Sequence, residues 1–244
     1  ADAPPVLFVR GNTALLQAAS VAIVGSRKAS GAGLRMAGAA ASEFAQAGVN
    51  VVSGYAAGVD SAAHEAALRS GGTTTIVLAE GIFGFRARPD LADLFSLQNH
   101  LVVSEFFPDT PWAAHSAMQR NQTICGLSTS VVVIESGKDG GTFEGAQTSL
   151  RLRIPTFVAD FKAVPPSAAG NATLIADGAI PLQVGSGGTL DLAPARKTLK
   201  PPGSVNALGS ESGSRAAPRE VHREEPSPAI AGDRPALSMT PYPK

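Results

Sequence analysis

The sequence predicts an α/β fold: an open, mostly parallel sheet with helices on both faces. Short apolar runs alternate with helix-length segments along most of the chain. Two of these runs end in glycine-containing turns that lead directly into a helix, and the helical segments are rich in alanine, whose small side chain lets a helix lie close to a sheet. Strand and helix alternating in this way read as βαβ units.

The strand candidates are residues 21–24, 49–53, 74–78, 101–104, 131–135 and 156–158, each a short apolar or β-branched run. Between the first two, Ser30 is placed to cap a helix whose Leu34, Ala37, Ala41, Phe44 and Ala45 recur at helical spacing, and Gly48 is a natural stop. Asp60 or Ser61 opens the next helix, which buries Ala63, Ala66 and Ala67 and ends at Gly71-Gly72. At about Asp191 the composition turns to Pro, Ser, Gly and Ala without sustained periodicity. The expected organisation is one folded domain over residues 1–190 and a disordered, low-complexity tail over residues 191–244.

Composition narrows the function classes. The chain has 244 residues, 44% of them hydrophobic and 16% charged, which suits a globular domain. Its one cysteine, Cys125, excludes a disulfide framework and fits a reducing compartment. No stretch approaches the roughly 18 uninterrupted apolar residues of a membrane span, and the N-terminus lacks a basic-then-apolar layout. A cytoplasmic protein with no membrane partner is expected. Of the 20 basic and 20 acidic residues, eight and five lie beyond residue 194, so the body is mildly acidic. Any contact with a polyanion must then come from a local patch, for which Arg27, Lys28, Arg120 and Lys138 are the candidates.

The strongest local signal is residues 51–68, VVSGYAAGVDSAAHEAAL, where a buried strand enters a glycine-opened turn and then a helix. Residues 21–27, VAIVGSR, repeat the plan. A helix N-terminus presents unpaired N–H groups and a partial positive charge, and glycine lets the backbone approach an anion. Gly25, Ser26 and Arg27 from one turn, with Gly54, Gly58 and Asp60 from the other, sit where a phosphate would be held. Glycine-containing turns also occur for purely geometric reasons. Arg120 and Asn121, in MQRNQTICGLS, offer a donor fork and a base-reading amide, or else a surface arginine beside a turn asparagine.

Five separated segments, VAIVGSR, SGYAAGVDSAAHEAAL, SEFFPDTP, RNQTICGLS followed by VVVIES, and GNATLIADGAIPL, resemble in order and spacing the DprA/Smf family of DNA-processing proteins. The resemblance runs from about Leu7, where LFVRGN is similar to the family's first strand, to about Leu182. It implies a Rossmann-like domain that binds single-stranded DNA without sequence preference, forms a homodimer and delivers DNA to a RecA-type recombinase during transformation. It implies no cofactor and no enzymatic activity. Carried over to this chain, the DNA pocket comprises Ser26, Arg27, Ser53, Gly54, Arg120 and Asn121.

The chain departs from the family pattern at several positions. Gln122 stands where an arginine usually follows the RN pair, and Tyr55, Ala56 and Ala57 replace a turn that commonly carries a base. Residues 81–89 (GIFGFRARP) replace a Tyr-Pro-Asn segment, with Arg86 and Arg88 as partial compensation. After the strand at 131–135, residues 140–144 read GGTFE, which resembles the related LOG branch of phosphoribohydrolases. Gly140, Gly141 and Thr142 then join the candidate nucleotide-binding residues. Under a hydrolase reading, Glu144 would stabilise a ribosyl cation or activate water. The order of readings is DNA binding, then a small-nucleotide sensor of the same superfamily, then hydrolysis of nucleoside monophosphates. No metal cluster is expected. His64 reads as paired within its helix turn, Cys125 as a buried inert thiol, and Trp112 either as a base-stacking residue or as an exposed anchor.

Overall fold

Successive strand residues point to opposite faces of a sheet, and this alternation sorts the helices into two layers. In β2 (Ser20–Val24), Val21 and Ile23 enter one core while Ala22 enters the other. The first core takes α1 (Gly31–Gln46), α2 (Val59–Arg69) and α6 (Ala193–Thr198). The second takes α3 (Ala114–Gly126), α4 (Gly141–Arg151) and α5 (Asn171–Ala176). The computed structural model describes residues 3–185 and 188–199.

The remaining strands are β1 (Phe8–Gly11), β3 (Asn50–Ser53), β4 (Thr74–Val77), β5 (His100–Ser104), β6 (Ser130–Val133), β7 (Thr156–Asp160) and β8 (Ile180–Gln183). They form one sheet in the order β1-β5-β4-β3-β2-β6-β7-β8, parallel except for β1 at the edge. β2 is the centre: Ala22 pairs with Val52 of β3 on one side and Val131 of β6 on the other. From there β3, β4 and β5 extend one way and β6, β7 and β8 the other. Such a reversal of strand order opens a crevice beyond the carboxyl ends of the central strands. The fold is Rossmann-like, as the sequence predicts.

The six expected strands all form, with ends shifted by at most two residues. Ser30 caps α1, its Oγ accepting from Gly33 N at 3.0 Å, and Gly48 follows the helix with φ +74°. Phe44 on α1 is fully buried, so Phe44→Ala is expected to cost about 3–5 kcal/mol.

Two expectations are corrected. Arg120 and Asn121 lie in the middle of α3, not in a turn, and Arg120 is buried instead of lying on the surface. The boundary expected after residue 190 falls inside folded structure, because Leu192 and Ala195 are buried in the first core with α6. Alanine and leucine at helical spacing supply that anchor even in a segment that otherwise reads as low-complexity. The rest of the expected tail, residues 200–244, lies outside the described residues.

Candidate nucleic-acid interface

Three strand-to-helix turns meet at the crevice, and they differ in what satisfies their polar groups. The turn after β2 is closed by Glu135, a fully buried carboxylate. Glu135 accepts from Ser30 N at 2.8 Å, Ser30 Oγ at 2.5 Å and Ser167 Oγ at 2.6 Å, while its carbonyl accepts from Ser26 N at 2.7 Å. A buried carboxylate is tolerable only when hydrogen-bonded in this way. The N-terminus of α1 therefore has its own internal partners.

The turn after β3 is closed by Asp60. This buried side chain accepts from Gly54 N at 3.2 Å and Ala56 N at 3.4 Å. Burial pushes its carboxyl above the ordinary aspartate value, while the Arg120 charge and the two backbone N–H groups pull the other way. Gly58 precedes α2 with φ +85°, and a Cβ there would collide with the Ser26 carbonyl. That close approach lets Val59 N donate to Ser26 O at 3.4 Å. Tyr55 is held at φ +60°, and its hydroxyl accepts from Arg88 N at 2.8 Å.

The turn after β6 is different. Gly140, again at φ +85°, precedes α4 with no side-chain cap. Among the described residues, nothing accepts the N–H groups of Gly141, Thr142 and Phe143. These are the orphan donors of a helix N-terminus, and Gly141 and Thr142 line a cleft of about 470 Å³. That volume is in the range of small-ligand sites.

Arg120 reaches the cleft from α3. It is only 5% exposed, and its Nη1 donates to Val77 O at 2.8 Å. Its Nε has no partner, and among the described residues none of the ion pairs includes it. Burial lowers its pKa, against the opposing influence of Asp60. The guanidinium runs across Gly54, where any Cβ would fall on it. A buried cation with most of its donor fork unused is costly on its own and well suited to an anion.

The sequence-predicted residues divide accordingly. Gly25, Ser26, Arg27, Asp60, Arg120, Asn121, Gly141 and Thr142 line the cleft, and Gly54 lines an adjoining one of about 310 Å³. Ser53, Gly58, Lys28 and Gly140 line neither. Ser53 Oγ donates to Ile23 O at 2.6 Å inside the sheet, and Gly58 and Gly140 shape their turns. Asn121 Nδ2 donates to Gly141 O at 2.9 Å and so ties α3 to the start of α4. Glu144 is exposed in the first turn of α4 and lines neither cleft, so the geometry does not support it as a hydrolytic group.

Other expectations change. Arg86 and Arg88 line neither cleft: Arg86 Nη1 donates to the carbonyls of Phe83 and Phe85, and Arg88 pairs with Asp90 at 2.9 Å. His64 pairs with Thr74, not Asp60. The Thr74 hydroxyl donates to Val51 O at 2.7 Å, so it accepts from His64 Nδ1–H at 2.6 Å, which leaves Nε2 unprotonated. Burial holds the His64 pKa down to about 3. Cys125 is buried beside the cleft, and burial pushes its thiol up to about 11. Sequence reasoning did not single out Gly137, Asp139 or Met118, which line the cleft but carry no local motif.

Residues 1–186 match the family described as DNA recombination-mediator protein A. Protein Smf of Escherichia coli is 35% identical over 73% of this chain, and DNA processing protein DprA of Bacillus subtilis is 32% identical over 73%. The chain belongs to the DprA/Smf family. It spans 48% of the E. coli protein and 61% of the B. subtilis protein. Among solved structures, DprA of Streptococcus pneumoniae superposes with a TM-score of 0.68 at 31% identity, covering 75% of this chain and 64% of that one. DprA of Helicobacter pylori, described for its single-stranded DNA binding mode, gives 0.65 at 27%, covering 74% and 83%. No described helix of this DprA/Smf chain is long and apolar enough to cross a membrane.

Proposed function

We propose that this DprA/Smf chain binds single-stranded DNA without sequence preference, through phosphates seated at the start of α4 and on Arg120. The observation that carries the reading is the buried Arg120 with its Nε unpaired, beside a helix N-terminus whose first N–H groups have no acceptor among the described residues. The single-stranded DNA binding of the Helicobacter relative supports it. Gly25, Ser26, Arg27, Gly54, Asn121, Gly141 and Thr142 surround the phosphate path, with Asp60, Ser53, Gly58 and Gly140 holding its turns and Lys28 adding charge nearby. Backbone amides and arginines grip phosphate without reading base identity.

Membership of the family supports the wider role: a cytoplasmic homodimer that protects incoming DNA and hands it to a RecA-type recombinase in uptake and recombination. The folded domain carries the binding. A salt-titrated binding assay with fluorescent oligonucleotide tests the reading, using a nucleoside monophosphate as competitor. Tight, salt-sensitive binding that Arg27→Ala with Arg120→Ala abolishes and a mononucleotide fails to displace is expected. Ready displacement by the mononucleotide would move the site to the small-nucleotide sensor reading.

A further inference from the structure

The chain has a single tryptophan, and Trp112 is 54% exposed. It stands where the two clefts meet, lining both together with Arg27, Ala56 and Arg120. A large indole left open to solvent has given up most of the stabilisation that burial offers, so its position calls for an explanation.

The loop that carries it is firmly held. Gly81 N donates to Thr110 O at 2.8 Å, Phe83 N to Pro108 O at 2.9 Å, and Thr110 N to Phe107 O at 2.9 Å. Pro111 restricts the chain on one side of Trp112 and α3 begins two residues beyond it. The backbone is thus fixed while the ring is free. Among the described residues, the ring meets the Arg27 guanidinium, 5.9 Å from its centroid. That lies at the outer limit, about 6 Å, of a cation–π contact, and Arg27 is itself exposed, so the pairing is easily exchanged.

We infer that Trp112 is the base-stacking platform of the site. An unpaired base lies on the indole while its phosphate sits toward Arg120 and α4, and Arg27 moves from the ring to a neighbouring phosphate. Every base has a π-face, so the platform adds affinity without sequence preference. It also distinguishes single strands from duplex, whose bases are already stacked. This inference rests on the single-stranded DNA reading of the same clefts.

The test compares an oligothymidylate with an abasic oligonucleotide of the same length and phosphate number. Emission excited selectively from tryptophan reports on Trp112 alone. Oligothymidylate is expected to quench it, and the abasic strand to leave it nearly unchanged. Trp112→Ala, at an exposed position, is expected to weaken oligothymidylate binding by about five- to a hundred-fold. Its affinity for the abasic strand stays at the wild-type level, and Trp112→Phe recovers most of the loss. Equal quenching by the two strands, or wild-type affinity in Trp112→Ala, overturns the platform. If Arg120→Met still loses both strands in that case, the phosphate site survives without it. Failure of wild type to bind either strand overturns both.

Discussion

The turns entering α2 and α4 begin alike and end differently. Each follows a buried strand, and each places a glycine at φ +85° before a helix without a side-chain cap. In the first, Asp60 takes the N–H groups of Gly54 and Ala56, and the Ser26 carbonyl takes that of Val59. In the second, nothing among the described residues takes the N–H groups of Gly141 or Thr142. The same glycine-opened start therefore yields one turn sealed by the protein itself and one whose first helical N–H groups meet no acceptor among the described residues. What separates them is the tertiary partner each turn meets.

The largest effect on binding is expected where the sealed turn touches the cleft. Gly54→Ala drives a methyl onto the Arg120 guanidinium, which must leave the Val77 carbonyl and shift toward the cleft to make room. Overpacking of this kind costs about 1–3 kcal/mol, and loss of oligonucleotide binding should accompany the lower denaturation midpoint. Arg120→Met separates binding from stability. Affinity for DNA falls by about ten- to a hundred-fold, as charge-assisted hydrogen bonds are lost. The free protein keeps its midpoint or gains, because a desolvated and largely unpaired charge is gone.

The contrast between the turns sharpens with a matched pair. Thr142→Glu puts a carboxylate at the open turn, favourable for the helix by about 0.3–1 kcal/mol but repulsive to phosphate. Binding should drop about tenfold or more with no loss of stability. Asp60→Ala does the reverse first, destabilising by about 1–3 kcal/mol as the Gly54 and Ala56 N–H groups lose their acceptor. Equal effects of the two variants on both binding and midpoint would erase the distinction.

A last effect concerns pH. His64 is neutral in the folded state with its pKa depressed to about 3, against an ordinary value of 6.5. Its contribution is fully present above pH 6.5 and is lost as pH falls toward 3, because only the unfolded chain takes the proton. Denaturation midpoints measured across that window should fall less steeply for His64→Asn, whose amide can still donate to Thr74.

Much of the frame was legible in the sequence because it rests on local pattern. Val21, Ala22 and Ile23 alternate between two cores, and Ser30 caps α1 as its position implies. That Gly25, Ser26, Arg27 and Asn121 gather at one cleft was legible because each turn or pair carries a chemical signature. The burial of Arg120 was not, since it depends on Gly54 sixty-six positions away making room. Nor was the role of Asp60, an apparent ligand residue that serves the turn's own amides. The end of the domain was missed because Leu192 and Ala195 are anchored by contacts with the distant first core.

The most direct test follows the backbone amides during a titration with single-stranded oligonucleotide, residue by residue, by nuclear magnetic resonance. Large shifts at Gly141 and Thr142, with Gly54 and Ala56 moving little, are the expected result. Shifts centred on Gly54 and Ala56, or none at the start of α4, would contradict the assignment of the open turn as the phosphate site.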